Sequence, residues 1–141
     1  MDELKRAAEW HKQAVPTPTD KNKCIALGVH FEEISEMFEA LGLPQHERQM
    51  HLLANAFKSC DVVAMDVSLS ADKIKLLDAI LDQNVTSCGI SNAFGFNHID
   101  GLAEVNDSNY SKFEDGKPVF NEQGKISKGK YYKPPQLDKF I

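Results

Sequence analysis

Residues 27–41 read LGVHFEEISEMFEAL. Leu27, Phe31, Ile34, Phe38 and Leu41 recur at i, i+4, i+7, i+11 and i+14, which is one face of a helix and not the alternation of a strand. Acids interrupt this apolar pattern. Glu33 lies on the shoulder of the stripe beside Met37 and His30, and Glu36 follows three residues later. At about 100° per residue, the two carboxylates can converge on one point. The spacing predicts a helix from about Asp20 to Leu41. Gly42 stops it and Pro44 opens the next.

Working outward, the rest of the body also reads as helix. Residues 2–14 form an amphipathic segment with Leu4, Ala7, Ala8 and His11 on neighbouring positions, ended by Val15-Pro16-Thr17-Pro18. A third helix is expected over 44–67. A fourth, capped by Ser70 with Asp72 in its first turn, runs through Ile74, Leu77, Leu81, Val85 and Cys88 to about Phe94. Gly95-Phe96-Asn97 breaks it, and a short fifth helix covers about 99–113. Strand signals are nearly absent before residue 117. The expected fold class is all-α, a four- to five-helix bundle in one domain over 1–141. Residues 114–135 contain three glycines, three prolines and repeated lysines. They read as a basic, turn-rich C-terminal tail, with a small hairpin around Asn121 to Gly124.

Length and composition set bounds on function. The 141 residues fit one domain with a real core, and pairing with a second copy would add burial. Sixteen basic and twenty-one acidic side chains give 16 − 21 = −5, a poor balance for general binding of nucleic-acid backbone. No run of about 18 apolar residues exists to span a membrane, and the charged start MDELKRAAEWHKQ does not read as a signal peptide. Cys24, Cys60 and Cys88 lie far apart without CxxC spacing. They read as small buried hydrophobes in a reducing compartment, with the cytoplasm expected.

The acids carry the chemistry. Besides Glu33 and Glu36, the run Leu76-Leu77-Asp78-Ala79-Ile80-Leu81-Asp82 puts two aspartates at i, i+4 among apolar neighbours. Carboxylates beside a dry helix interface are costly unless neutralised, and like charges one turn apart repel. Two such pairs on different helices can answer each other by sharing cations. Oxygen-only donors suit Mg²⁺, with Mn²⁺ as a substitute. A di-iron bundle would need Glu-x-x-His motifs, which the sequence lacks. A plainer reading stands beside this one: Glu32, Glu33, Glu36 and Glu39 as a solvated helix face, and Asp78 and Asp82 as salt-bridged or hydrated. Trp10 is read as a core or dimer contact, with a nucleobase platform as the lesser alternative, and His11 as a packing or hydrogen-bonded residue rather than a catalyst.

Glu33-x-x-Glu36, followed after a further helix by Asp78-Ala-Ile-Leu-Asp82, resembles the acidic signature of the all-α NTP pyrophosphohydrolases. This superfamily includes MazG, dimeric dUTPases and phosphoribosyl-ATP pyrophosphohydrolase. Its pattern is Glu-x-x-Glu, then Glu-x-x-Asp. Glu33, Glu36 and Asp82 match, whereas Ala79 stands where the third acid belongs and Asp78 lies four residues before Asp82. Ala-Glu-Trp10-His11 with its Pro-Thr-Pro turn, the Glu104 to Lys112 segment, and the basic run from Asp115 to Pro134 resemble a phage and bacterial subgroup.

The resemblance implies Mg²⁺-dependent hydrolysis of a nucleoside triphosphate, such as a dNTP, to monophosphate and pyrophosphate. Glu33, Glu36, Asp78 and Asp82 would hold the metal, with Glu33 or Glu36 also orienting the water. Glu104 and Asn109 would lie near the metal and phosphates, and Lys112 would neutralise charge on the phosphoryl oxygens. Lys125, Lys128, Lys130 and Tyr131 would close over the substrate, and Trp10 and His11 would also contact it. A homodimer or homotetramer is implied, with no nucleic acid and no membrane as partner. The alternative from another class is a non-catalytic helical module that binds nucleotides or a protein partner.

Overall fold

The computed structural model describes residues 2–141. Six α-helices carry the fold: α1 (Glu3–Ala14), α2 (Asp20–Ala40), α3 (Pro44–Lys58), α4 (Val62–Leu69), α5 (Lys73–Phe94) and α6 (His98–Tyr110). A 3₁₀ turn at Asp138–Phe140 follows. The all-α class is therefore as the sequence predicts, and the described tail contains only isolated antiparallel bridges. No helix among the described residues is long and apolar enough to cross a membrane.

The helix boundaries follow local capping chemistry. Asp2 accepts from the Leu4 N–H at α1. Thr19 and Asn22 form a reciprocal capping box at α2. The helix expected over 44–67 is in fact two, because the chain turns at Cys60, which has φ +54°, and restarts where the Asp61 carboxylate accepts from the Ala64 N–H at 2.7 Å. Ser70 closes α4, so it is not the cap of α5. Asp72 takes that role, accepting from the Lys75 N–H at 3.1 Å. Gly95, in the left-handed region at φ +78°, ends α5, and Asn97 caps α6. The last helix stops at Tyr110, three residues short of expectation, and Phe113 turns inward.

The chain forms two compact units. One comprises Thr17–Ala71 and Glu122–Lys125; the other comprises the residues up to Pro16, Asp72–Asn121 and Ile126–Ile141.

The first, a helical-hairpin unit, packs α2 against α3 and α4. Its centre is built from small residues: Cys24, Gly28 and Ser35 of α2 are buried, with Ala54, Phe57 and Ala64 opposite. A Cβ on Gly28 would stand 2.6 Å from the Lys58 backbone nitrogen and 2.9 Å from the Ala54 carbonyl oxygen. The expected stripe is thus displaced. Leu27, Phe31, Ile34 and Phe38 flank this close approach half-buried, and Leu41 is exposed. Phe31 and Phe57 meet edge to face at 5.2 Å.

The second, terminal unit packs α1 and α5 on α6. Trp10, Ala14 and Phe113 form its buried cluster, bordered by Val15, Tyr110 and Ile126. Trp10 and Phe113 stack at 5.3 Å, and the indole N–H donates to the Asn109 carbonyl at 2.9 Å. Asn106 is fully buried and donates to the Glu3 carbonyl and carboxylate at 2.9 and 2.8 Å. Arg6 bridges Glu3 at 2.9 Å and Asp107 at 2.6 Å. The tail adds two bridged turns, Glu114 with Lys117 and Phe120 with Ile126. The first uses Asp115 and Gly116, both with positive φ. The second is the hairpin expected around Asn121 to Gly124.

Candidate functional site

In the hairpin unit, Glu33 and Glu36 lie one turn apart on α2, both exposed. Their neighbour Glu32 is different. Its half-buried carboxylate takes Lys58 Nζ at 3.1 Å and Lys125 Nζ at 2.9 Å, drawing the tail turn onto the hairpin. Burial alone would push the Glu32 carboxyl up. Hydrogen bonds and charge from Lys125 and Lys58 outweigh that and hold it below its usual range. Nearby opens a cavity of about 840 Å³ lined by Lys21, Ile25, Asn55, Lys58, Cys60 and Glu122, among others.

This cluster was hidden in the sequence, where Glu32 is one of four acids on a face and Lys125 one of many tail lysines. A depressed pKa gives stability that is present above the unfolded value and lost as pH falls through the folded one. Glu32→Gln is accordingly expected to cost the hairpin unit about 1–2 kcal/mol at pH 7. The deficit should shrink below about pH 4, which denaturant titrations of both proteins at the two pH values would check.

In the terminal unit, Asp78 and Asp82 are exposed on α5. The sequence placed them at a dry interface, and that expectation is corrected. Within its unit α5 packs only on α6, and none of its 22 residues is buried. The apolar neighbours are themselves open: Ile74 is 83% exposed, Leu81 55% and Val85 70%. The reading of the cysteines as buried holds for Cys24 and is corrected for Cys60, half-buried, and Cys88, exposed.

Four residues named from the sequence do gather in this unit: Trp10, His11, Asn109 and Lys112. His11 meets the Trp10 ring edge to face at 4.8 Å, and Lys112 Nζ lies 5.9 Å from the indole centroid. Trp10 is buried, with one face on Phe113 and its N–H bonded to Asn109, so packing is its visible role. Glu104 anchors the tail, accepting from the Gln136 N–H at 3.0 Å and facing Lys139 at 3.8 Å. Lys128 lies over Tyr132 and Lys130 over Tyr131, each at 5.0 Å.

Burial lowers the His11 pKa, and the Lys112 charge lowers it further. His11 should therefore titrate below its usual value by NMR, and Lys112→Ala should raise it. The sign for stability follows: a lowered histidine favours the fold above the unfolded pKa, and that support is lost as pH falls below it.

Among the described residues, no three His, Cys, Asp or Glu side chains gather to hold a metal ion. The four acids named from the sequence stand two in each unit. Comparison with known protein families, with characterised proteins and with solved structures finds no match to this chain.

Proposed function

We propose that the chain is a Mg²⁺-dependent nucleoside triphosphate pyrophosphohydrolase of the all-α superfamily its acidic pattern resembles, working as an oligomer. The observation that carries this reading is the pairing of exposed carboxylates one turn apart on two helices, Glu33 with Glu36 and Asp78 with Asp82. The four residues are exposed, and their oxygens are of the hard type that Mg²⁺ selects. Glu32, already paired with two lysines, is not part of the set.

In this reading Glu33 with Glu36, and Asp78 with Asp82, would be the Mg²⁺ ligands, and the ion would neutralise the triphosphate and lower the pKa of a bound water. Glu33 or Glu36 orients the attacking water, which yields nucleoside monophosphate and pyrophosphate. Lys112 neutralises phosphate charge, and the tail around Lys128, Lys130 and Tyr131 covers the substrate. The uncovered apolar surface of α5 is where a second copy associates, because a helix apolar on most sides is stable only when packed.

The test is incubation with a panel of NTPs and dNTPs plus Mg²⁺, with pyrophosphate and orthophosphate measured separately. Pyrophosphate with a matching monophosphate supports the reading. Orthophosphate would mean phosphatase chemistry. No product from a folded protein would favour a binding module, for which the open apolar face of α5 is also suited.

A further inference from the structure

Cys60 sits at an unusual place. It joins α3 to α4 with φ +54°, a left-handed conformation that an L residue other than glycine adopts only where the surroundings enforce it. Its side chain packs against the cluster of Cys24, Phe57 and Ala64. The thiol donates to the Lys21 carbonyl at 3.7 Å, and the nearby Cys24 sulfur adds to the upward push on its pKa. Cys24, on α2, is fully buried. Two free thiols from separate elements therefore share one packed cluster, Cys24 sealed in the core and Cys60 half-buried on the wall of the cavity.

We propose that Cys24 and Cys60 form a redox-active dithiol that reacts with a small anionic disulfide of the glutathione class and closes to an internal disulfide. The cavity admits the reagent to Cys60, and Lys21 and Lys58 on its lining attract the reagent's carboxylates. The Cys60 thiolate attacks one sulfur of the reagent, and one reduced reagent thiol leaves. Cys24 then loses its proton and attacks the mixed disulfide at Cys60, releasing the second reagent thiol. The protein loses two protons and two electrons; the reagent disulfide gains them as two thiols. The bond would tie α2 to the α3–α4 turn. Burial, and then the neighbouring Cys24 sulfur, push the Cys60 thiol up, so Cys60 rests protonated and gives its proton to water before it attacks.

The full chain carrying Cys88→Ser, which removes the exposed third thiol, is incubated with glutathione disulfide under native conditions. It is then quenched in acid and analysed by mass and peptide mapping. The wild-type chain with Cys88 blocked by iodoacetamide serves as a parallel sample. The expected result is loss of both remaining thiols, no added mass, and a Cys24–Cys60 linked peptide that dithiothreitol reverses. In the same background, Cys24→Ser should stop at a persistent glutathione adduct on Cys60. Two unreacted thiols, a stable glutathione adduct with Cys24 present, or a link between two chains would each overturn the proposal.

Discussion

Gly28→Val is expected to destabilise the hairpin unit by about 3 kcal/mol or more, a large share of the stability of a domain this size. The backbones of α2 and α3 approach closely at this residue. A Cβ there would meet the Lys58 nitrogen at 2.6 Å, the Lys58 Cγ at 2.7 Å and the Ala54 oxygen at 2.9 Å. Two of these three atoms are backbone, so no rotamer change relieves the clash and the helices must separate. Separation would loosen the packing of Cys24 and Ser35 and pull Lys58 from Glu32. Denaturant unfolding monitored by circular dichroism gives the comparison. A Gly28→Val protein as stable as the parent would mean that α2 and α3 do not approach this closely.

Glu36→Gln is expected to lower pyrophosphohydrolase turnover by about 100-fold or more, the scale associated with losing a general base. Its thermal stability should stay within about 0.5 kcal/mol of the parent, as for other exposed surface changes. Glu36 is exposed on α2, so a solvated-face reading predicts no effect on either quantity. The divergence between turnover and stability is the informative result. Full activity in Glu36→Gln would remove the acidic pair from the mechanism. The same comparison at Asp78 bears on the departure from the superfamily pattern at Ala79.

The helices were legible because local signals specify them. The i, i+4, i+7 stripe of α2, the proline stops and the glycine at 95 each act within a few residues. The division at Cys60 was less legible, since no glycine or proline marks it and the Asp61 cap is one acid among many. Burial was the least legible property. Large side chains at helical spacing suggest the centre of an interface, yet Cys24, Gly28 and Ser35 occupy it because small residues let two helices approach. The Asn106–Glu3 and Lys125–Glu32 contacts join residues 103 and 93 positions apart, a pairing that no local pattern encodes. Of the residues named from the sequence, Trp10, His11 and Lys112 lie close together, with the Asn109 backbone carbonyl on the indole N–H. The four acids are placed only as two pairs.

The division of the chain into units also sets an order of assembly. Most of the hairpin unit is continuous from Thr17 to Ala71. Its helices meet through neighbours in sequence, the kind of contact that forms quickly. The terminal unit instead waits for α6 to reach α1, with Trp10 and Asn109 separated by 99 positions. During synthesis α1 would emerge before the other five described helices and find its partner last. Until then the Trp10 indole stays uncovered, so its fluorescence would report the late step in refolding, after the helical signal of the hairpin has already risen.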